Sequence, residues 1–352
     1  MDGNFSTMGF TQEPLVAHAP PAGFATGYDG IYVETEGADG ETTSDWLCSP
    51  LAVVARGRNA DHMGWSRCIE LVDPDGILHK WFVLEKDLTT GFGKVLAGLR
   101  DRGLNLAGGT SARRHLNDLI VRWEPSERYM TTDRLGWADA SCSAYVLGDN
   151  RVIGNRNTVF LNEAVPDGEP AMSGQGTLGE WRDTVAAQCQ GNSVLISSVS
   201  LAFAGPLLEM LDLETAGLHL RGGSSSGKTT AMGAAVSVWG SPKLMHSWRA
   251  TANALEGVAA TRNSSLLALD ELGQVSGREV GDAVYTLANG KGKARSTSTG
   301  RLQPKSKWRL MLLSTGEISL ADKMAAAGKS PKAGQEVRLI DIAADTRRHG
   351  VF

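Results

Sequence analysis

The chain has 352 residues, and domains usually run to about 100–200, so two globular units are expected, each with its own core. Hydrophobic residues make up 41% and charged residues 21%, which is ordinary for a folded chain and unlike a disordered one. No apolar run approaches the roughly 20 residues that cross a bilayer, and the start lacks a basic stretch followed by an apolar one, so a cytoplasmic location with no membrane partner is expected.

Cys48, Cys68, Cys142 and Cys189 are far apart and form no Cys-x-x-Cys pair, which argues against a zinc site or a disulfide framework and for scattered buried thiols. The net charge is only −4, but it is segregated: residues 1–45 hold eight acids and no Lys or Arg, whereas residues 291–309 hold seven basic residues and no acid.

In chain order, residues 1–28 are rich in Gly, Pro, Ser and Thr without periodicity and read as a flexible acidic tail. Residues 29–165 read as an α+β unit. Short apolar or alternating runs at 31–33, 47–55, 66–72 and 77–84 predict strands, with the turn Asp73-Pro74-Asp75-Gly76 joining the last two. Residues 93–102 and 111–123 show helical spacing. A second hairpin turns at Gly148-Asp149-Asn150. Five of the nine tryptophans, Trp46, Trp65, Trp81, Trp123 and Trp137, fall in this unit as core residues or as stacking platforms for bases.

The Gly/Pro-rich stretch 166–176 is the expected linker, and residues 177–352 the second domain. It opens with helices near 178–189 and 194–203. Apolar β-runs separated by helices follow, the pattern of a parallel sheet. Its central motif is Gly222-Gly223-Ser224-Ser225-Ser226-Gly227-Lys228-Thr229, which fits G-x-x-x-x-G-K-[ST]. Glycines let backbone N–H groups curl around phosphates, Lys228 reaches the terminal phosphates, and the Thr229 hydroxyl is suited to Mg²⁺. The context agrees, with a strand candidate at 218–221 and a helix candidate from Thr230 onward that puts the phosphates at a helix N-terminus. A Gly/Ser loop that binds nothing is the bland alternative.

Leu266-Leu267-Ala268-Leu269-Asp270-Glu271 ends a buried strand with two acids. Asp270 is expected on the metal side, and Glu271 as the base that activates water. Helix capping is the alternative. A third strand, 309–313, ends in Ser314-Thr315, where a polar residue between the two motifs senses the terminal phosphate. Thr315 is the first choice, Ser314 the second, and ordinary turn chemistry the alternative. Before it, residues 277–288 read as a helix and 291–309 as a basic hairpin. In ring-forming AAA+ helicases a hairpin at this place grips single-stranded DNA in the channel, which makes Lys291, Lys293, Arg295 and Arg301 DNA-binding candidates; a solvated loop is the alternative. Arg338 precedes the last strand, 337–342, where an arginine finger acting on a neighbouring subunit commonly originates; local pairing with Glu336 or Asp341 competes with that role.

Together, Arg221 through Thr230, Leu269-Asp270-Glu271-Leu272, Leu313-Ser314-Thr315-Gly316-Glu317 and Gly334-Gln335-Glu336-Val337-Arg338-Leu339 resemble the family catalogued as domain of unknown function 927, helicase-like ATPases of phage, plasmid and integrated-element replication, often joined to primase domains. The resemblance runs over residues 28–344 and implies a replication helicase. The expectation is an α/β chain: a P-loop AAA+/RecA-like parallel-sheet domain preceded by a smaller α+β domain. It would bind ATP and Mg²⁺, form a hexameric ring on single-stranded DNA and work with a primase. Rival readings are an ATP-switched nucleic-acid-binding adaptor or loader without unwinding activity, and a small-molecule P-loop kinase.

Overall fold

The structure is a computed structural model and describes residues 19–37, 39–161, 172–292, 306–328, 338–344 and 351. Two compact units share the chain, Met1–Thr131 and Thr132–Phe352.

In the first unit, β1 (Phe24–Gly27), β2 (Gly30–Glu36) and β3 (Thr42–Cys48) form an antiparallel meander. A second sheet holds β4 (Leu51–Arg58), β5 (Ser66–Val72) and β6 (Leu78–Leu84) in antiparallel order. The run expected over 47–55 is therefore two strands. Ser49 and Pro50 interrupt it, because proline offers no N–H to a ladder. The turn between β5 and β6 forms as its residues require: Asp73 Oδ1 accepts from the Asp75 and Ile77 N–H groups at 3.0 and 2.8 Å, and Gly76 takes φ +80°.

Helices α1 (Glu85–Thr90), α2 (Phe92–Asp101) and α3 (Thr110–Arg122) follow, and β7 (Glu127–Thr132) returns parallel to β4. The buried face of α3 carries Ala112, Leu116, Leu119 and Ile120, spaced as one stripe of a helix. That stripe joins Leu51, Val53, Ile69, Leu71 and Leu99 in one core. Trp123 belongs to this core, whereas Trp65 is exposed with the Arg56 guanidinium over its ring. Burial pushes the Cys48 and Cys68 thiols up to about 12, and all four cysteines are free.

The second unit begins with β8 (Gly136–Trp137), β9 (Ala144–Val146) and β10 (Val152–Gly154), an antiparallel meander, and with β11 (Thr158–Phe160). The expected turn at Gly148-Asp149-Asn150 joins β9 to β10, with Asn150 at φ +65°. The division between units thus falls ahead of the expected linker at 166–176. The reason is contact: Tyr145 Oη donates to Ser264 O at 2.7 Å, Asn263 Nδ2 donates to Leu135 O at 3.0 Å, Trp137 Nε1 donates to Pro206 O at 2.8 Å, and Tyr145 stacks on Trp239. These residues pack on the second unit.

Helix α4 (Leu178–Trp181) starts with a capping box between Thr177 and Glu180, and helical turns continue to Cys189. Helix α5 (Ser193–Ala204) is capped by Asn192, and the short α6 (Leu207–Met210) follows. Then come β12 (Ala216–Arg221), α7 (Lys228–Val236), β13 (Met245–Ser247), α8 (Ala252–Thr261), β14 (Leu266–Asp270), α9 (Gly277–Ala288), β15 (Met311–Gly316), α10 (Leu320–Ala325) and β16 (Leu339–Ala343). Their strands form one parallel sheet in the order β13-β14-β15-β12-β16. Parallel strands send every C-terminal end to the same edge, so residues after β12, β14 and β15 meet there. The core on one face gathers Leu267, Leu269, Leu312, Val280, Val284 and Trp308.

Gly217 lies between β15 and β16, and an added Cβ would collide with the Leu312 carbonyl. Because that obstacle is backbone within a ladder, Gly217→Ala is expected to destabilise the second unit by about 1–3 kcal/mol. Urea unfolding of the variant measures it.

Candidate nucleotide site

The loop that leaves β12 turns back through two left-handed positions, Ser225 at φ +61° and Gly227 at φ +86°, and enters α7 at Lys228. It is tied at its start, where Gly222 N–H donates to Gly316 O at 3.1 Å. At its far side Val351 N–H donates to Ser226 O at 2.8 Å, and the Val351 carbonyl accepts from Asn192 Nδ2. A cavity of about 300 Å³ is lined by Ser225, Ser226, Gly227, Lys228, Thr229 and Thr230. Curled backbone at the N-terminus of a helix is a cradle for phosphate oxygens. Lys228 is nearly buried, with Nζ donating to Gly222 O at 2.9 Å and Gly223 O at 2.6 Å. The ammonium is thus held inside the loop by groups that phosphate oxygens can replace.

Asp270 stands at the end of β14, where it collects three contacts. Thr229 Oγ1 lies 3.4 Å from its Oδ2, Thr315 Oγ1 donates to its Oδ1, and Glu271 N–H donates to the same oxygen at 3.0 Å. Hydroxyl and carboxylate oxygens this close are the hard donor set that Mg²⁺ selects, so the residues present fit that ion. Glu271 is exposed beside them at φ +61°, ψ 64°, a backbone region that costs a residue with a Cβ about 1–3 kcal/mol. Its N–H also points at Thr315 Oγ1, 3.3 Å away.

Thr315 therefore sits between the loop and the acids, on the strand between theirs. Ser314, the second choice for the sensing position, faces away, since successive side chains of a strand point to opposite sides. It lies fully buried between Trp248 Nε1 at 2.8 Å and His219 Nδ1 at 2.9 Å. Sequence reasoning missed His219 and Trp248; for His219 the signal was a polar residue between Leu218 and Leu220 in an apolar strand run, and Trp248, between Ser247 and Arg249, gave none.

Arg338 lies at the start of β16, opposite the edge that carries the loop, and its guanidinium is held by Glu214 and Asn289. Those are not the partners expected for local pairing: Asp341 pairs with Arg221 at 2.9 Å, and Glu336 lies outside the described residues. Of the basic segment, Lys291 is described and exposed, while Lys293, Arg295 and Arg301 lie outside the described residues. The described residues on either side of that segment face each other: Lys291 and Lys307 form an antiparallel bridge, Gly292 N–H donates to Ser306 O at 2.8 Å, and Trp308 N–H donates to Gly290 O at 3.0 Å.

Residues 24–307 match the model of the family described as Domain of unknown function (DUF927). The chain belongs to this family. Among solved structures, this member of the family is similar to the one described as SCCmec type IV Cch, active helicase, with a TM-score of 0.65 at 20% sequence identity over 92% of this chain. The chain spans 59% of that protein, and at this identity the likeness shows the fold alone. A comparison with curated proteins finds no match. Among the described residues no helix is long and apolar enough to cross a membrane.

Burial holds the imidazole of His219 below its ordinary value of 6.5, so it is neutral in the folded chain. Unfolding exposes a histidine that binds a proton below pH 6.5. Stability should therefore fall as pH drops through that value and be indifferent to this group well above it. His219→Asn should lose this single-proton slope in urea midpoints measured between pH 7.5 and 5.

Proposed function

We propose that the second unit is an ATP-hydrolysing motor of AAA+ architecture and that the chain acts as a helicase or translocase on single-stranded DNA in mobile-element replication. The observation that carries the ATPase reading is the meeting of Thr229, Asp270 and Thr315 beside the cradle from Gly222 to Thr230. The strand order, with the Thr315 strand between the loop strand and the acidic strand, supports the AAA+ assignment.

In this reading the backbone N–H groups of Gly223, Ser224, Ser225, Ser226, Gly227 and Thr230 bind the phosphates, and Lys228 neutralises the terminal ones. Thr229 and Asp270 would hold Mg²⁺, which when bound would supply positive charge against the phosphate oxygens. Glu271 takes the proton of the attacking water, and Thr315, tied to Asp270, orients the terminal phosphate between the two motifs.

The DNA reading rests on the paired flanks of the basic segment. Chain that leaves at Gly292 and returns at Ser306 in antiparallel register is a hairpin base, and lysines stand on both sides of it. Residues of that segment, Lys291, Lys293, Arg295 and Arg301 among them, neutralise phosphates of a single strand in a central channel. A ring, most simply a hexamer in the cytoplasm and served by a primase, completes the reading. Arg338 would then exchange Glu214 for a phosphate bound to the neighbouring subunit.

Lys228→Ala should weaken ATP binding and abolish hydrolysis. Glu271→Gln should bind ATP as the unaltered chain does and turn over at least about 100-fold more slowly. Phosphate release with parallel binding isotherms measures both, and undiminished turnover by Glu271→Gln would remove the base from the mechanism. Changing Lys293 and Arg295 together to Ala should flatten the slope of log DNA affinity against log salt by about 0.7 for each DNA phosphate that is no longer neutralised, equally for all sequences. A salt titration of fluorescent oligonucleotide binding reads it, and an unaltered slope would leave the segment a solvated loop.

A further inference from the structure

Behind the candidate site, on the face of β15 turned away from Thr315, three polar side chains form a line with one consistent direction. Ile318 O can only accept, so His219 Nε2, 3.0 Å away, carries the proton. The imidazole is neutral by burial, which leaves Nδ1 a bare acceptor. Ser314 Oγ, 2.9 Å from it, must donate there and can then accept from Trp248 Nε1–H at 2.8 Å. Every polar atom in the line has its partner, and all three side chains are at most 1% exposed.

The line also joins four segments. His219 belongs to the strand that ends in the phosphate loop, Ser314 to the strand of Thr315, and Ile318 to the turn after it. Trp248 follows β13, and its own N–H donates to the carbonyl of Asp270 at 3.0 Å. His219 and Ser314 are paired residues of β12 and β15, and Leu269, next to Asp270, pairs with Ser314 from the other side. Burying such a line contributes little net stability, because each bond replaces one to water. What it supplies is position, and a misplacement of about 1 Å at a reacting group costs on the order of 100-fold in rate.

We propose that Trp248, Ser314 and His219 are a positioning unit for the metal and phosphate groups of this site, fixing the backbone on which Asp270 and Thr315 stand relative to Thr229. The proposal rests on the nucleotide reading of the site and adds to it residues that touch neither nucleotide nor metal. Removing the Ser314 hydroxyl leaves the indole N–H and imidazole nitrogen unpaired, and both relax by shifting β15 against β12 and β14. The carboxylate of Asp270 then no longer meets Thr229, and metal binding suffers while the phosphate loop, held by Gly316 and Val351, does not.

The test is calorimetric binding of a non-hydrolysable ATP analogue, with and without Mg²⁺, to the unaltered chain, Ser314→Ala, Ser314→Thr and Trp248→Phe. Without Mg²⁺ all four should bind alike. The gain in affinity on adding Mg²⁺ should shrink about tenfold in Ser314→Ala, the scale of one buried donor left unpaired. It should shrink similarly in Trp248→Phe, which keeps a ring in place, and return in Ser314→Thr, which keeps the hydroxyl. An undiminished Mg²⁺ gain in Ser314→Ala and Trp248→Phe overturns the proposal, as does an equal loss in Ser314→Thr. Because the readout needs no turnover, an unaltered chain that shows the Mg²⁺ gain but never hydrolyses ATP would overturn the hydrolytic reading and leave the positioning unit standing.

Discussion

The hydrogen bond between Thr315 and Asp270 is the constraint on which the site depends. It exists because β15 is inserted between β12, which leads into the glycine-rich loop, and β14, which ends in the acidic pair. Without that insertion the loop and the acids would sit on adjacent strands and need no third group between them. With it, the hydroxyl at the end of β15 spans the gap, and Thr229 on the first turn of α7 comes within 3.4 Å of the same carboxylate. A parallel sheet makes such a meeting possible, since its strands all end on one edge. Gly217 lets β12 lie tightly against β15, and the carbonyl of Gly316, the last residue of β15, accepts the hydrogen bond that ties down the start of the glycine-rich loop.

Much of this was legible from residues alone, for reasons that are local. The loop that joins β12 to α7 shows in its glycines, serines and closing lysine, an acidic strand end is visible as an apolar run closed by two carboxylates, and the turns at Asp73-Pro74-Asp75-Gly76 and Gly148-Asp149-Asn150 declare themselves by residue type. What the residues did not disclose depends on distant contacts. β13 has only three residues, Met245, His246 and Ser247, and is a strand because β14 offers it an edge. The meander of β8 to β10 reads as part of the first unit along the chain but is held by Ser264, Asn263 and Pro206 of the second. Propensity carries no information about which surface a hairpin will meet.

Ser314 and Thr315 illustrate the division most closely. Strand alternation requires the two hydroxyls to face opposite ways, so the sequence implied that only one of them could face the acids. Which of them faces the acids depends on the register of β15 against β14, in which Leu269 pairs with Ser314 and Asp270 is left beside Thr315. The hydroxyl turned inward then requires partners, and His219 and Trp248, from segments far apart in the chain, supply them. Arg338 shows the same dependence on context: its place before the last strand is legible, while its hold on Glu214 and Asn289 is a property of the folded sheet edge.

Coupling of ATP hydrolysis at the Thr229, Asp270 and Thr315 site to single-stranded DNA is what the proposed function stands or falls on. Its direct test is the steady-state rate of phosphate release by the unaltered chain, with Mg²⁺ and ATP, as single-stranded DNA is titrated in. Hydrolysis should be measurable, should rise to a saturating plateau with DNA, and should reach its half-point at higher DNA concentration as salt is added. Hydrolysis indifferent to DNA at every salt concentration, or no hydrolysis at all, would contradict it.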